Sequence, residues 1–411
     1  LDARACLEFD LNGVSLIEAS AGTGKTYTIA NLYLRHILDG RQPSEILVVS
    51  FTNAATDELH QRIQARLYQA LKTLETGLAP EDEFLQLLLQ QHRQLDAEQQ
   101  RRDERLIQYA LRSMDEAMIS TIHGFCHAAL QDHALLSNRQ FESEIVTNDD
   151  HYWEQALKDW WRLNTYPLSS KAWSLFNQAV PGFGHLLGWH RLLRQHRRDG
   201  ILPDVPSSLE QLLLQHVDID ASDEDHASVL RDLKARALCE AQAYASQRVA
   251  LDKQNAAQLA YQDQLDLLLA ALQQAGGERL AQRLRTRFPV AMIDEFQDTD
   301  KVQFEIFQRL YFQREDTGLT LIGDPKQAIY GFRGGDIFTY IEARQDPQLR
   351  VFALQTNWRS QPGLVNAVNH VFTRRSDPFI YSQAIEFTTA TAAAVNDDAS
   401  LSIDGQVAPA M

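Results

Sequence analysis

Six short apolar runs punctuate the chain, and each gives way to polar or glycine residues. They are Ser15–Glu18, Ile46–Phe51, Ala117–Ser120, Pro289–Ile293, Leu319–Ile322 and Val351–Leu354. Continuous rather than alternating apolar character predicts strands buried on both faces, as in a parallel sheet. Helical stretches sit between them, from Thr26 to Leu38 and from Thr56 to Leu71. Strand–helix alternation predicts an α/β fold with a doubly wound parallel sheet, whose ligands bind beyond the carboxyl ends of the strands. Residues 131–286 read differently. They are rich in Gln, Leu, Ala, Arg and Trp, carry helical spacing at Leu265, Leu268, Leu269 and Leu272, and break at Pro181–Gly184 and Pro203–Pro206. The expected organisation is a first α/β domain over 1–130 and 287–350, a mostly helical insert over 131–286, and the beginning of a second α/β domain over 351–411. The stretch from Thr388 to Met411 is weakly patterned.

At 411 residues the chain exceeds one compact core. Its 44% hydrophobic and 23% charged content is ordinary for a soluble globular protein. No apolar run reaches the roughly 18 residues that a bilayer span requires. Cys6, Cys126 and Cys239 are few and far apart, which points to a reducing compartment without a disulfide frame. Net charge is −16, unlike the basic footprint of many nucleic-acid binders. A protein that grips a few phosphates and bases needs local contacts, however, and global charge does not decide those. Starting at Leu1 and stopping soon after the last motif, the chain is expected to be a piece of a longer protein.

Ala19-Ser20-Ala21-Gly22-Thr23-Gly24-Lys25-Thr26 fits G-x-x-x-x-G-K-[ST], with Ala19 at the first glycine, between a strand and a helix. Backbone N–H groups at a helix amino end favour an anion. Lys25 is the expected partner of the β- and γ-phosphates of ATP, and the Thr26 hydroxyl of Mg²⁺. Asp294 closes another apolar run and is the second expected Mg²⁺ ligand; Glu295 beside it is the candidate to orient or deprotonate the attacking water. Asp298 reads as a structural or capping residue. Gln327, just past Gly323-Asp324-Pro325, is a candidate sensor of the γ-phosphate, with loop hydrogen bonding as the plain alternative. Arg359 can add positive charge where charge spreads in the transition state. Trp358 offers a flat face for adenine opposite Tyr27.

These segments resemble superfamily I helicases of the UvrD/Rep type. Ile46–Ala55 resembles motif Ia, Ser120–Cys126 motif Ic, Asp294–Asp298 motif II, Gly323–Gly334 motif III and Thr356–Ser360 motif IV. Within the family the likeness is to RecBCD-type helicase–nucleases, with other UvrD-, Rep- or AddA-like helicases as the alternative. The resemblance implies a RecA-like domain 1A around an inserted domain 1B, followed by the opening of domain 2A. It also implies 3′-to-5′ movement on single-stranded DNA, RecC- and RecD-like partners, duplex DNA ends as substrate, and a bacterial cytoplasmic setting. Family position implies strand contacts at Phe51, Thr52, Asn53, Thr121, His123, Tyr330 and Phe332, with Arg333 linking nucleotide state to DNA. Aromatic faces stack on any base, which suits sequence-independent stepping; for Phe51 and Phe332 the alternative is core packing. Asn12 stands where the family carries an adenine-reading glutamine. Motifs V and VI are not among these residues. Two readings therefore stay open: a working motor, and a module that binds nucleotide and DNA without efficient turnover.

Overall fold

A computed structural model of the chain describes residues 2–132, 144–195, 207–218, 225–329, 335–379, 381, 384–393, 402–403 and 406–407. The described residues fall into two compact units, one formed by those within 2–132, 265–329 and from 335 onward, the other by those within 144–264.

The larger unit is built on a six-stranded sheet of β1 (Gly13–Ala19), β2 (Ile46–Ser50), β3 (Met118–Thr121), β6 (Val290–Ile293), β7 (Gly318–Gly323) and β8 (Arg350–Leu354). The spatial order is β3-β2-β6-β7-β1-β8, and every pairing is parallel. All six carboxyl ends therefore open on one edge. Every expected apolar run is one of these strands. Their continuous apolar character has a visible cause, since successive residues face opposite sides. Leu16, Leu47, Val49, Ala291, Ile293, Leu319 and Leu321 pack on one face, with Phe125, Leu268, Leu284 and Phe307 from α6 (Ile122–Asp132), α12 (Tyr261–Gln273), α13 (Gly277–Arg287) and α14 (Lys301–Tyr311). Ile17, Ile46, Val48, Met292 and Ile322 pack on the other, with Ile29, Leu32, Ile63 and Ile107 from α2 (Lys25–Leu38), α3 (Asn53–Thr76) and α5 (Ala97–Arg112). Two helices complete the amino-terminal part: α1 (Ala3–Leu7) and α4 (Glu83–Gln94). Following β7 come α15 (Ile337–Arg344), the short parallel pair β9 (Thr356–Asn357) and β10 (Thr391–Ala392), and α16 (Pro362–Phe372).

Two expected boundaries shift. Leu265, Leu268 and Leu272 belong to the sheet's core rather than to the insert, because their apolar stripe covers a sheet face. β8 pairs with β1, so the first sheet runs to Leu354 and does not stop at 350.

The smaller unit is mostly helical: α7 (Asp150–Thr165), α8 (Ser170–Ala179), α9 (Phe183–Gln195), α10 (Leu209–His216) and the 30-residue α11 (His226–Asn255), with the short parallel pair β4 (Glu144–Val146) and β5 (Gln258–Ala260). Its core gathers Leu157, Trp160, Phe176, Leu212, Leu233 and Ala241.

Candidate active site

β1 ends at Ala19, and the chain turns into α2 through Ser20–Gly24. The turn is tied by Thr23, whose N–H and hydroxyl both donate to the Ser20 carbonyl at 3.1 and 2.7 Å. Gly22 and Gly24 take left-handed φ values of 78° and 94°, which residues with a Cβ adopt at a cost. Gly24 caps the helix, so Lys25 and Thr26 open its first turn, where unpaired N–H groups and the dipole favour an anion.

Lys25 Nζ lies 2.6 Å from Glu295 Oε2. The loop and the end of β6 are thus joined across 270 residues of sequence. Asp294 is fixed by its own N–H donating to the Val49 carbonyl at 2.8 Å, and its Oδ2 lies 3.5 Å from the Ser50 hydroxyl. Its Oδ1 is buried and finds no hydrogen-bond partner among the described residues. Burial, reinforced by the Glu295 charge, pushes the Asp294 carboxyl up to about 6. Asp298, itself buried, is raised to about 6 by burial and then by the same glutamate. Glu295 adopts φ 54° and ψ 44°, a left-handed conformation that costs a non-glycine residue roughly 1–2 kcal/mol. Such strain at a strand end aims a side chain.

The end of β7 lies next to β6. Gln297, 2% exposed, donates from Nε2 to Glu295 Oε2 at 2.7 Å and accepts the Asp324 N–H on Oε1 at 2.9 Å. Asp324 in turn accepts from Gln327 Nε2 at 2.8 Å and from Lys326 Nζ at 2.8 Å. Gln327 is therefore engaged with Asp324.

The segment after β8 closes on the loop. Trp358 N–H donates to the Gly22 carbonyl at 2.8 Å, and Asn357 Nδ2 to the Ala21 carbonyl at 3.1 Å. Asn357 Oδ1 accepts the N–H groups of Arg359 and Ser360 at 2.9 and 2.8 Å. A Cβ on Gly22 would meet Arg359 Cβ at 2.9 Å, so this approach needs glycine. The Cβ position of Gly24 lies 3.8 Å from Tyr27 Cβ and 4.0 Å from Trp358 Cδ1, which leaves the two exposed rings flanking a bare stretch of loop. Tyr27 is held from behind. Its hydroxyl donates to Asp82 at 3.1 Å, and the buried Arg66 guanidinium, paired with Asp82 at 3.0 Å, sits 4.5 Å from its ring centre.

Asn12 is not part of this constellation, contrary to expectation. It precedes β1 at the amino edge, with its carbonyl held by the Arg350 guanidinium. Seven strand residues at about 3.3 Å each put it roughly 20 Å from the phosphate loop. Its position upstream in sequence places it at the far end of the strand.

Phe51, Thr52, Asn53, Thr121 and His123 gather at the carboxyl ends of β2 and β3, which pair at Ser50 and Thr121 beside β6. Thr52 caps α3 by accepting the Ala55 N–H at 3.1 Å, and Thr121 Oγ1 accepts the Gly124 N–H at 3.3 Å. Burial lowers the His123 pKa. Tyr330, Phe332 and Arg333 lie outside the described residues. Gln297, Asn357, Arg66 and Asp82 were missed as candidates. The first two stand inside quoted motifs, whereas Arg66 and Asp82 carry no local signal.

The residues fit a nucleotide and a divalent cation. Among Asp294, Glu295 and Asp298 one ammonium, Lys25, offsets three carboxyl groups, and two carboxylate oxygens, Asp294 Oδ1 and Asp298 Oδ1, are left buried without a donor among the described residues. Surplus negative charge of this kind is a cation's environment.

A parallel sheet with a phosphate loop after one strand and paired acids after another defines a phosphate-loop nucleotide-binding domain. Residues 2–348 match the UvrD/REP helicase N-terminal domain, and the chain belongs to that family. Helicases of this kind use nucleotide and metal. The chain is similar to RecBCD enzyme subunit RecB of Escherichia coli K12, at 34% identity over 98% of this chain and 41% of that protein. The subunit of the same name from Haemophilus influenzae is 30% identical over 97% of this chain and 43% of its own length. That from Mycobacterium tuberculosis H37Rv is 30% identical over 87% and 29%. The chain thus spans less than half the length of these relatives. No described helix is long and apolar enough to cross a membrane.

Proposed function

We propose that this chain is the ATP-driven motor portion of a RecBCD-type helicase–nuclease, a 3′-to-5′ translocase on single-stranded DNA. It would serve double-strand-break repair in the bacterial cytoplasm, with RecC- and RecD-like partners at duplex ends. The sheet unit corresponds to domain 1A with the start of 2A, and the helical unit to 1B. One observation carries the reading. Lys25, Asp294 with Glu295, Asp324 with Gln327, and Asn357 with Arg359 come together at the carboxyl edge of one parallel sheet. Chance does not bring four separated segments with these chemistries to one place.

In this reading the loop N–H groups and Lys25 hold the phosphates, and Thr26 and Asp294 hold Mg²⁺. Glu295 orients the attacking water, Gln327 reports the γ-phosphate, and Arg359 supports it. Tyr27 and Trp358 flank the adenine. Bound ATP supplies the phosphoryl group and Mg²⁺ offsets its charge. Phe51, Thr52, Asn53, Thr121 and His123 meet the strand, with Tyr330, Phe332 and Arg333 by family position.

Titration with a fluorescent nonhydrolysable ATP analogue, with and without a single-stranded oligonucleotide, tests this. Lys25→Ala is expected to weaken analogue binding by at least about tenfold, or about 1.4 kcal/mol. Equal affinity in the variant would defeat the assignment. DNA-stimulated ATP turnover separates a motor from a module that only binds.

A further inference from the structure

Resting on the reading above, we infer that Gln297 is a positioning residue, a rigid strut that transmits nucleotide occupancy from Glu295 to the backbone of Asp324 at the end of the neighbouring strand. Its amide uses both polarities. Nε2 donates to the Glu295 carboxylate at 2.7 Å, and Oε1 accepts from the Asp324 N–H at 2.9 Å. The side chain is 2% exposed, so it has no freedom to swing into water. Gly323 completes the fit, since a Cβ there would lie 2.7 Å from Gln297 Oε1. An apolar side chain would fill this space without desolvating an amide, which is costly unless both ends are satisfied.

The strut matters because Glu295 accepts from both Lys25 and Gln297. A triphosphate in the loop draws the Lys25 ammonium toward its own oxygens. Gln297 then remains to fix the carboxylate, and any movement of Glu295 passes through one amide to Asp324. From Asp324 it reaches Gln327 and Lys326, both held by that carboxylate. Coupling through a hydrogen-bonded chain requires a measurable response at its far end.

That response is read by hydrogen exchange of the peptide spanning 318–329, with and without Mg²⁺ and a nonhydrolysable ATP analogue. In the unmodified chain, nucleotide is expected to slow exchange at the Asp324 amide by about tenfold. Gln297→Met keeps the volume and removes the bonds to Glu295 and Asp324, along with a longer one to Asp298 at 3.4 Å. It is expected to bind the analogue within about threefold of the parent, yet to show less than about twofold nucleotide-dependent protection. Should that variant fail to fold, Gln297→Leu decides instead, since it too is apolar and can neither donate to Glu295 nor accept from Asp324. Full protection in the folded variant overturns the strut while leaving the nucleotide site standing. If the parent binds analogue without protecting Asp324, the strut is likewise overturned. Absence of analogue binding by the parent overturns both it and the proposed function.

Discussion

Asp149 of the helical unit and Asp294 of the sheet unit are both carboxyl groups withdrawn from water, yet their surroundings act on them in opposite directions. Burial favours the neutral form of Asp149, but Lys253 Nζ at 2.9 Å, Arg194 Nη2 at 2.7 Å and Trp153 Nε1 at 3.0 Å outweigh it and hold the group down to about 2. Lys253, itself 5% exposed, also reaches Asp263 at 2.6 Å. Each charge there has a partner. At Asp294 burial prevails, a second carboxylate adds to it, and one oxygen goes unpartnered. The closed cluster is a node of the fold. The open one is a destabilised arrangement that a bound cation would complete, and this difference separates a structural ion network from a candidate site better than the count of charges does.

The sharpest way to break the contrast is Lys253→Met. It leaves Asp149 and Asp263 without their shared ammonium and is expected to cost about 3–5 kcal/mol in chemical denaturation, with analogue affinity of the folded protein unchanged. A loss below about 1 kcal/mol would mean the cluster is not closed as described.

Asp294→Asn should have the reverse sign. The folded carboxyl titrates near 6 and the unfolded one near 3.8, so the native state binds the extra proton between these values. Stability carried by that proton is present below about pH 4 and lost as pH rises through 6. In metal-free buffer at pH 8 the variant is expected to be more stable by about 2 kcal/mol, with the gain vanishing near pH 4, while Mg²⁺-dependent analogue binding disappears. A gain of equal size at both pH values, measured by thermal melting, would rule out titration as its cause. Asp149 behaves oppositely, since its stabilising contribution fades only as pH falls toward 2.

The smallest expected effect is at the rim of the site. Tyr27→Ala should weaken the ATP analogue by roughly 1 kcal/mol while tripolyphosphate binding stays the same. Parallel losses for both ligands, by calorimetry, would mean that the ring supports the loop and not a base.

Much of this was legible in the sequence. Strands buried on both faces cannot alternate, so their apolar runs stand out, and parallel strands must present their carboxyl ends together. Lys25, Asp294 and Glu295 follow from those two facts. Position across a strand was not legible: Asn12, matched to an adenine-reading glutamine upstream of the loop, sits at the opposite end of the strand. Nor were partners distant in sequence. Nothing near Tyr27 announces that Arg66 and Asp82 steady it. Gln297 stood inside a motif whose acids drew attention, and its two-sided bonding appears only when Glu295 and Asp324 are seen together. Helical spacing at Leu265–Leu272 said helix correctly and was silent on which core it covers.

The contact between Lys25 and Glu295, at 2.6 Å, has a thermodynamic corollary. The phosphate loop's lysine carries its own counter-ion, tethered at a fixed and high effective concentration. Any anion entering competes with that carboxylate for the ammonium, so weakly charged oxyanions gain little, whereas a polyphosphate outbids it and leaves Glu295 to its amide donor.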